Sequence, residues 1–527
     1  MPHHRGDTVR LLPRVRALGV WLALGAVAAC GTTVPNAASR TTGGNQLSPS
    51  LNAPGAPGGT SLNGTTTTGS TAAAGGSSTG SSQQGATDGA GGSGSASGAG
   101  GVVAGSSGSA AAPTGGIPAS GPGWDSKHIY LGVMTQKDFQ SAAASVGYSG
   151  IDPGDTQAQA QAVIDDMNRH GGVFGRTLAL RTFDVATIAS AENPETYAAQ
   201  ACTHFTEDAP VVAVVNIVLT MDTSNFRHCF AKHHIPLFNA GNGGVSHSDR
   251  ALAPYFYSLG TPAWEVLAPV LVRRLQAQNY FQGWNARTGA PAPGPPVVGV
   301  LVADTITGHE DEAAIVASLK AAGQTKVFTY AYPPPGSDID GAVLNFAQNG
   351  VTHVISDDIE LVTFQIHAQN QGYRPRYGIN TYNAPGLNLT QLGPKQQQAG
   401  EVGVGYAPAF DVVAANEPKV MGGGVGACRA MMAKGHVRDS DRLADAFALL
   451  VCDAVRLAED GMVQGRGLSG AAISAGAVAA GPSFQPAFAF RSGLGAQRQF
   501  MPAEVRDLAY VPSCSCFRYQ GSASFAM

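Results

Sequence analysis

The sequence is poor in charge, in long apolar runs and, over one extended stretch, in aromatic rings. Asp, Glu, Lys and Arg make up 13% of the 527 residues, against about 25% in ordinary globular chains. Between positions 31 and 123 there is no Phe, Trp or Tyr, and the only charges are Arg40 and Asp88. Such a segment cannot bury enough apolar surface to offset the entropy of ordering it. Packing is therefore expected of Trp124–Met527, 404 residues, enough for two domains with their own cores. Within that part lie 27 basic and 34 acidic residues, a net charge of −7, which disfavours a nucleic-acid-binding surface. No apolar run reaches the length of an ordinary membrane span.

What the N-terminus does contain is a targeting pattern. Arg5, Arg10, Arg14 and Arg16 precede an apolar run from Ala17 to Ala29 with the proportions of a secretory signal. The run ends Val27-Ala28-Ala29-Cys30 and resembles the bacterial lipobox, in which the cysteine is acylated and becomes the mature N-terminus. The alternative is a plain secretory signal with an incidental cysteine. The expected division is a signal peptide at 1–29 and, at 30–123, a lipidated Cys30 followed by a Gly/Ser/Thr/Ala linker. Acylation would hold the chain at the outer face of the cell membrane, on a tether with an r.m.s. span of about 55 Å.

From Trp124 onward, strand and helix patterns alternate. Strands are expected at 128–134, 178–184, 211–217, 236–239, 297–303, 326–332 and 353–356. Helices are expected at 157–169, 194–207, 223–232, 263–278, 310–322, 339–348 and 361–371. Asp155 or Thr156 can cap the first helix. Short, continuously apolar strands between amphipathic helices indicate α/β architecture, with parallel sheets covered on both faces. Two such series, split near Gly260, predict two doubly wound lobes. Ligands in such sheets bind beyond the carboxyl ends of the strands.

Several segments then become specific: Ile129-Tyr-Leu-Gly-Val-Met-Thr135, the helix end running from Ile164 to Leu178, Val214–Ser224, Ile235–Gly241 and Pro254–Ser258. In content and order they resemble the type I periplasmic binding proteins, nearest the branched-chain amino-acid (Leu/Ile/Val) receptor branch of ABC-transporter substrate-binding lipoproteins. The resemblance covers about 125–520 and is most specific over its first hundred residues. It implies two lobes that are joined by three crossings and close on a ligand. Lobe one would comprise about 125–257 and 406–485, and lobe two about 258–405 and 486–527.

The resemblance also implies where the ligand sits. Family receptors hold a carboxylate with hydroxyls and backbone N–H groups of lobe one. The matching positions run from Thr220 to Ser224 and from Asn239 to Asn242. Asp222 is either a helix cap or a charge opposing an anion. The ammonium of a family ligand meets aromatic and acidic groups of lobe two, where this chain carries Asp304–His309, Ser356–Glu360 and Tyr382-Asn383. Thr307-Gly308 replaces the family's aromatic-Gly pair. The expected ligand groups are Thr135, Gln136, Thr220, Thr223, Asn239 and Asn242 of lobe one, with Asp304, Thr305, Asp357, Glu360 and Tyr382 of lobe two. Helix N-termini favour an anionic end in lobe one, and the acids favour a cationic or hydroxylated end in lobe two.

The cysteines after Cys30 number six, an even remainder that suits disulfides in an exported chain. Cys202 precedes the third strand and Cys229 follows it, on helices that can neighbour one another, and family receptors often bridge this region. Cys428 and Cys452 form the next candidate pair. For Cys514 and Cys516, one residue apart, pairing stays open. His228, His233 and His234 cluster near Cys229 but straddle a helix end and a strand start, so no metal site is expected. Gly147-Tyr-Ser-Gly150 lacks nucleophile-elbow spacing, and Gly422–Gly426 lacks dinucleotide-binding spacing. No enzyme activity and no cofactor are expected. The expected function is an extracytoplasmic solute-binding lipoprotein that delivers a small polar solute, an amino acid or similar zwitterion, to an ABC permease. The alternative is a ligand-sensing or structural lipoprotein of the same fold that serves no importer.

Overall fold

The computed structural model describes residues 116–145, 151–219, 223–241, 247–333, 336, 338–419, 421–438 and 441–527. Cys30, Thr220, Asp222 and Asn242 lie outside them. Five parallel strands form the first sheet: β1 (His128–Lys137), β2 (Thr177–Ala186), β3 (Ala213–Asn216), β4 (Leu237–Asn239) and β5 (Phe256–Ser258). Their order across the sheet is β2-β1-β3-β4-β5. β3, β4 and β5 are buried along their whole length, which explains their continuous apolar sequence. Asp155 starts the helix Thr156–Arg169 by accepting the Ala158 N–H at 2.9 Å. Gly171 and Gly172, at φ 103° and 65°, turn the chain out of it.

The helix expected over 194–207 divides in two. An α-helix runs over Pro194–Thr203, and a π-helical turn covers His204–Asp208. The wider turn buries Phe205 completely, while the Thr206 hydroxyl donates to the Cys202 carbonyl at 2.8 Å.

The second sheet contains β6 (Val298–Ala303), β7 (Val327–Tyr332), β8 (His353–Ser356), β9 (Arg376–Ile379), β10 (Val402–Gly405), β11 (Glu504–Val511) and β12 (Cys516–Tyr519). Their order is β12-β11-β10-β9-β8-β6-β7. Strands β6 to β10 are parallel, and β11 and β12 add antiparallel at one edge. The sequence pattern did not anticipate β9 to β12. The helix after β6 starts earlier than expected, at Ile306. There the Thr305 hydroxyl accepts the Gly308 N–H at 3.0 Å, and a side chain on Gly308 would collide with the Ala303 carbonyl.

The chain crosses between the two sheets three times. After β5 it enters the helix Trp264–Ala277, and after β10 it returns toward the first sheet, where the 24-residue helix Arg442–Gly465 packs on Thr156–Arg169. After the helix Gly470–Ala480 it runs back to β11. The crossings lie side by side. Ser258 N donates to Gln499 O at 2.8 Å, Met501 N to Ser258 O at 2.9 Å, and Phe490 N to Tyr406 O at 3.3 Å. Asp453, fully buried in the long helix, accepts the N–H groups of Ala487 and Phe488 at 2.8 and 2.9 Å and so fixes the third crossing.

Asp411, in the second crossing, is fully buried. Its Oδ2 accepts the Tyr519 hydroxyl at 2.5 Å and the Ala407 N–H at 2.8 Å, while Oδ1 has no partner among the described residues. Burial outweighs these bonds and pushes its carboxyl up to about 7. The folded chain thus holds a proton that the unfolded chain has released, so this group lowers stability as pH rises from about 4 to about 7 and adds nothing further above that. The full effect is roughly 4 kcal/mol. Chemical unfolding across that range should show Asp411→Asn gaining stability relative to the parent as pH rises. Parallel profiles for the two proteins would show that the carboxyl ionises freely in the fold.

Candidate functional site

Each sheet reverses its winding once, and the reversal opens a crevice at the carboxyl ends of two strands. In lobe one, built on the first sheet, β2 and β3 flank β1 and the crevice lies between β1 and β3. In lobe two, built on the second sheet, β7 and β8 flank β6 and the crevice lies between β6 and β8.

The lobe-one crevice is lined by amides. Gln136 follows Thr135 at the end of β1. Its Oε1 accepts the Leu219 N–H at 3.2 Å, and its buried Nε2 has no partner among the described residues. Asn216, at the end of β3, donates through Nδ2 to Asn239 Oδ1 at 2.7 Å and accepts the Val218 N–H at 3.1 Å. Asn239 Oδ1 also accepts the Gly241 N–H at 3.3 Å. A side chain on Gly241 would come within 2.5 Å of the Val218 carbonyl, so glycine lets the two loops touch. Thr135 gives its hydroxyl to the Asp184 carboxylate, which Lys137 also holds at 2.7 Å. Thr223 caps the helix Ser224–Lys232 by accepting the Phe226 N–H at 3.2 Å.

The lobe-two crevice is acidic. Asp304 follows β6, mostly in solvent, with His309 Nε2 2.9 Å from it. This contact holds the His309 imidazole above its ordinary pKa. Thr305 is used as a helix cap. Asp357 follows β8, is 6% exposed, and has a buried Oδ1 with no partner among the described residues. Burial first, then Asp311, Asp358 and Glu312, raise its carboxyl well above the usual range. Asp358 is satisfied: Oδ2 accepts the Tyr332 hydroxyl at 3.0 Å and Oδ1 the Ile359 N–H at 2.5 Å. Glu360 Oε2 accepts the Thr363 hydroxyl at 2.8 Å. Tyr382 donates its hydroxyl to the Pro262 carbonyl at 2.9 Å and packs its ring 5.4 Å from that of Trp264.

The structure therefore groups Asp304, Thr305, Asp357 and Glu360 around one crevice and Thr135, Gln136 and Asn239 around the other. It places Tyr382 against the first crossing. Three further polar groups are absent from the sequence-based set. Trp264 Nε1 and the Tyr406 hydroxyl are buried without partners among the described residues. Asn216 holds the lobe-one loops together. Trp264 reads in sequence as the first apolar residue of a helix, and Tyr406 follows a strand that the pattern did not reveal. Asn216, inside a buried apolar strand, was the one detectable signal, because a buried amide needs partners.

Away from the crevices, ligand atoms of Cys202, Cys229 and His233 lie within 4.8 Å of one another. His228 and His234 are outside this group, and His234 Nδ1 lies 3.2 Å from the Tyr255 hydroxyl. Cys202 and Cys229 have Cα atoms 6.2 Å apart, Cys428 and Cys452 5.9 Å, and Cys514 and Cys516 5.2 Å. All three separations are within reach of a disulfide.

Among solved structures, an ABC-transporter substrate-binding protein from Desulfitobacterium hafniense in complex with Leu is 14% identical. It aligns over 75% of this chain and 100% of its own, with a TM-score of 0.51. A solute-binding protein from R. palustris in complex with 4-hydroxybenzoate is also 14% identical, over 76% of this chain and 97% of its own, with a TM-score of 0.53. A fatty acid ABC-transporter substrate-binding protein from Thermomonospora curvata is 13% identical, over 78% and 95%, with a TM-score of 0.54. At such identities the likeness is one of fold. No curated protein sequence matches the chain. A family model described as periplasmic binding protein matches residues 146–481. That match spans more than half of the sequence, and the two largely parallel sheets and triple crossing agree with it, so the chain belongs to the type I periplasmic binding protein family.

Proposed function

We propose that this protein is an extracytoplasmic solute-binding lipoprotein of an ABC importer, anchored through Cys30, that closes two lobes on a small polar solute such as an amino acid or a similar zwitterion. Its work is binding and conformational change, not bond chemistry. The carrying observation is the pair of switch-point crevices on two sheets joined by three hydrogen-bonded crossings. A solute touching both lobes stabilises the closed arrangement by the contacts it makes only there. Gln136 Nε2 and Asp357 Oδ1 are buried polar atoms at the two crevices, without partners among the described residues. A bound solute would satisfy both and offset the cost of leaving them unpaired.

The test starts from the solute retained through gentle purification and identified by mass spectrometry. Gln136→Glu keeps the oxygen that holds Leu219 but removes the free N–H donor. It should weaken binding of that solute about fivefold or more, the worth of about 1 kcal/mol, and melting of the empty protein, measured alongside, separates lost binding from the folding cost of the introduced carboxyl. Full affinity in this variant would move the ligand away from the β1–β3 crevice.

Anchoring has its own readout. Cys30→Ser should appear in the culture medium and be lost from membranes, whereas unchanged membrane retention would count against acylation.

For the cysteines we propose bridges at Cys202–Cys229 and Cys428–Cys452, in keeping with export. Non-reducing peptide mapping should recover both linked peptides. Replacing Cys428 and Cys452 together by Ala should lower stability by about 3 kcal/mol. Recovery of free thiols at these positions would remove the bridges from the account.

A further inference from the structure

Away from both crevices, we infer that Cys514 and Cys516 form an exchangeable disulfide, a site of thiol–disulfide exchange whose substrate is an accessible thiol. The two cysteines flank Ser515 in the turn between β11 and β12, with Cα atoms 5.2 Å apart. β12 is the outermost strand of its sheet. β11 runs antiparallel to β10, with Val402 opposite Ala509 and Gly405 opposite Arg506. The turn therefore sits at the amino ends of the parallel strands, whereas the lobe-two crevice opens at their carboxyl ends. A solute in the crevice and a thiol at the turn would occupy opposite ends of the sheet.

The two sulfurs are placed unequally. Cys514 is exposed, with exposed neighbours Ser513 and Ser515, whereas Cys516 is 5% exposed at the first position of β12. Asn416, from the second crossing, donates through Nδ2 to Cys516 Sγ at 3.0 Å and to the Phe517 carbonyl at 3.4 Å. An incoming thiolate meets Cys514 from solvent, and the departing Cys516 sulfur carries its negative charge beside an N–H donor. Exchange is faster when the leaving thiolate is stabilised. Once reduced, the Cys514 thiol can donate to the Val511 carbonyl, 3.4 Å away. Stability alone does not account for the pair. A bridge restrains the unfolded chain less as its loop shortens, and this one has a sequence separation of 2, against 27 and 24 for the other two pairs. Backbone bonds already close the turn, Cys514 N to Val511 O and Ser515 N to Pro512 O, both at 3.2 Å. Ser515 stands at φ 48°, a left-handed position that a residue with a side chain holds at a cost. The turn thus carries a local cost and gains little fold stability from the bridge.

A substrate thiolate R–S− attacks Cys514 Sγ, the protein S–S bond breaks, and Cys516 leaves as its thiolate, giving the mixed disulfide R–S–S–Cys514. A second thiolate R′–S− attacks the R sulfur, forms R–S–S–R′ and releases Cys514 as a thiolate. Two substrate thiols are oxidised, the protein disulfide is reduced by two electrons, and the two thiol protons pass to the cysteine thiolates or to the buffer. One substrate disulfide forms per chain.

The test uses the full chain in its oxidised form, with glutathione as the small-thiol probe and reduced, unfolded ribonuclease A as the protein probe. Alkylation after timed exposure, followed by peptide mapping, should show Cys514 and Cys516 reduced at least about tenfold faster than the other four cysteines of the folded part. One disulfide should appear in the probe per chain reduced, and reaction with one probe alone assigns that class of thiol as the substrate. Cys516→Ser leaves the exposed sulfur and should trap the probe as a mixed disulfide, whereas Cys514→Ser leaves the buried one and should trap it about tenfold more slowly. In the Cys514→Ser background, Asn416→Ala should raise the Cys516 thiol pKa by about one unit, read from thiolate absorbance. Melting of each variant, followed alongside, separates lost chemistry from lost folding. Resistance of the pair to both probes, or reduction no faster than at the other cysteines, overturns the inference. So does equal trapping by the two single-cysteine variants, and an unchanged Cys516 pKa would overturn the part given to Asn416. None of these outcomes bears on the solute-binding reading.

Discussion

The side-by-side pairing of the three crossings is the constraint on which the rest of the molecule depends. Ser258 is the meeting point. Its backbone donates to Gln499 and accepts from Met501, so the chain leaving the first sheet lies against the chain returning to the second. Asp453 reaches out of the longest helix and fixes the returning segment through Ala487 and Phe488. These bonds set the two lobes about one narrow strip of backbone. Each lobe packs its own sheet, and relative motion can concentrate where three short segments bend together. The cost is a set of buried acids. Asp453, like Asp411, has its carboxyl pushed up to about 7 by burial, which places the least comfortable charges of the fold beside the strip that must flex.

The two crevices are unlike in chemistry even though they arise from the same reversal of strand order. The lobe-one loops are tied by amide-to-amide and amide-to-backbone bonds, with glycine where Gly241 passes the Val218 carbonyl. Such a crevice is lined by amides and able to donate. The lobe-two crevice concentrates carboxylates, of which Asp358 and Glu360 are engaged while one oxygen of Asp357 has no partner among the described residues. Hydroxyls expected to touch a ligand also serve local structure. Thr223 and Thr305 cap helices, and Thr135 holds Asp184. Most of the polar groups at the strand ends thus take part in building the loops, while Gln136 Nε2 and Asp357 Oδ1 have no partner among the described residues.

Much of the fold was legible because buried parallel strands and amphipathic helices impose different periods on the sequence. The apolar run around Val214 and the capped helix after Asp155 carry that signal directly. The edge β11–β12 did not show itself, since its strands mix charged and apolar residues without a regular alternation and follow a long irregular crossing. The site was legible only in part. Strand ends locate the loops, so Gln136 and Asp357 could be named from position alone. Pattern does not reveal which hydroxyl will turn back to cap its own helix, nor that Trp264 and Tyr406 would leave a buried N–H and O–H without partners among the described residues. Burial at the crossings depends on contacts between residues more than a hundred positions apart, such as Tyr382 with Pro262.

The central claim is that the two crevices approach each other when a solute binds. The direct measurement is the distance between spin labels on Ile188 and Ile306, two exposed side chains at the carboxyl ends of the first and second sheets. It is taken by pulsed electron resonance, with the co-purified solute bound and after its removal. The account predicts a shorter and narrower distance distribution in the bound state. Identical distributions with and without the solute would contradict it.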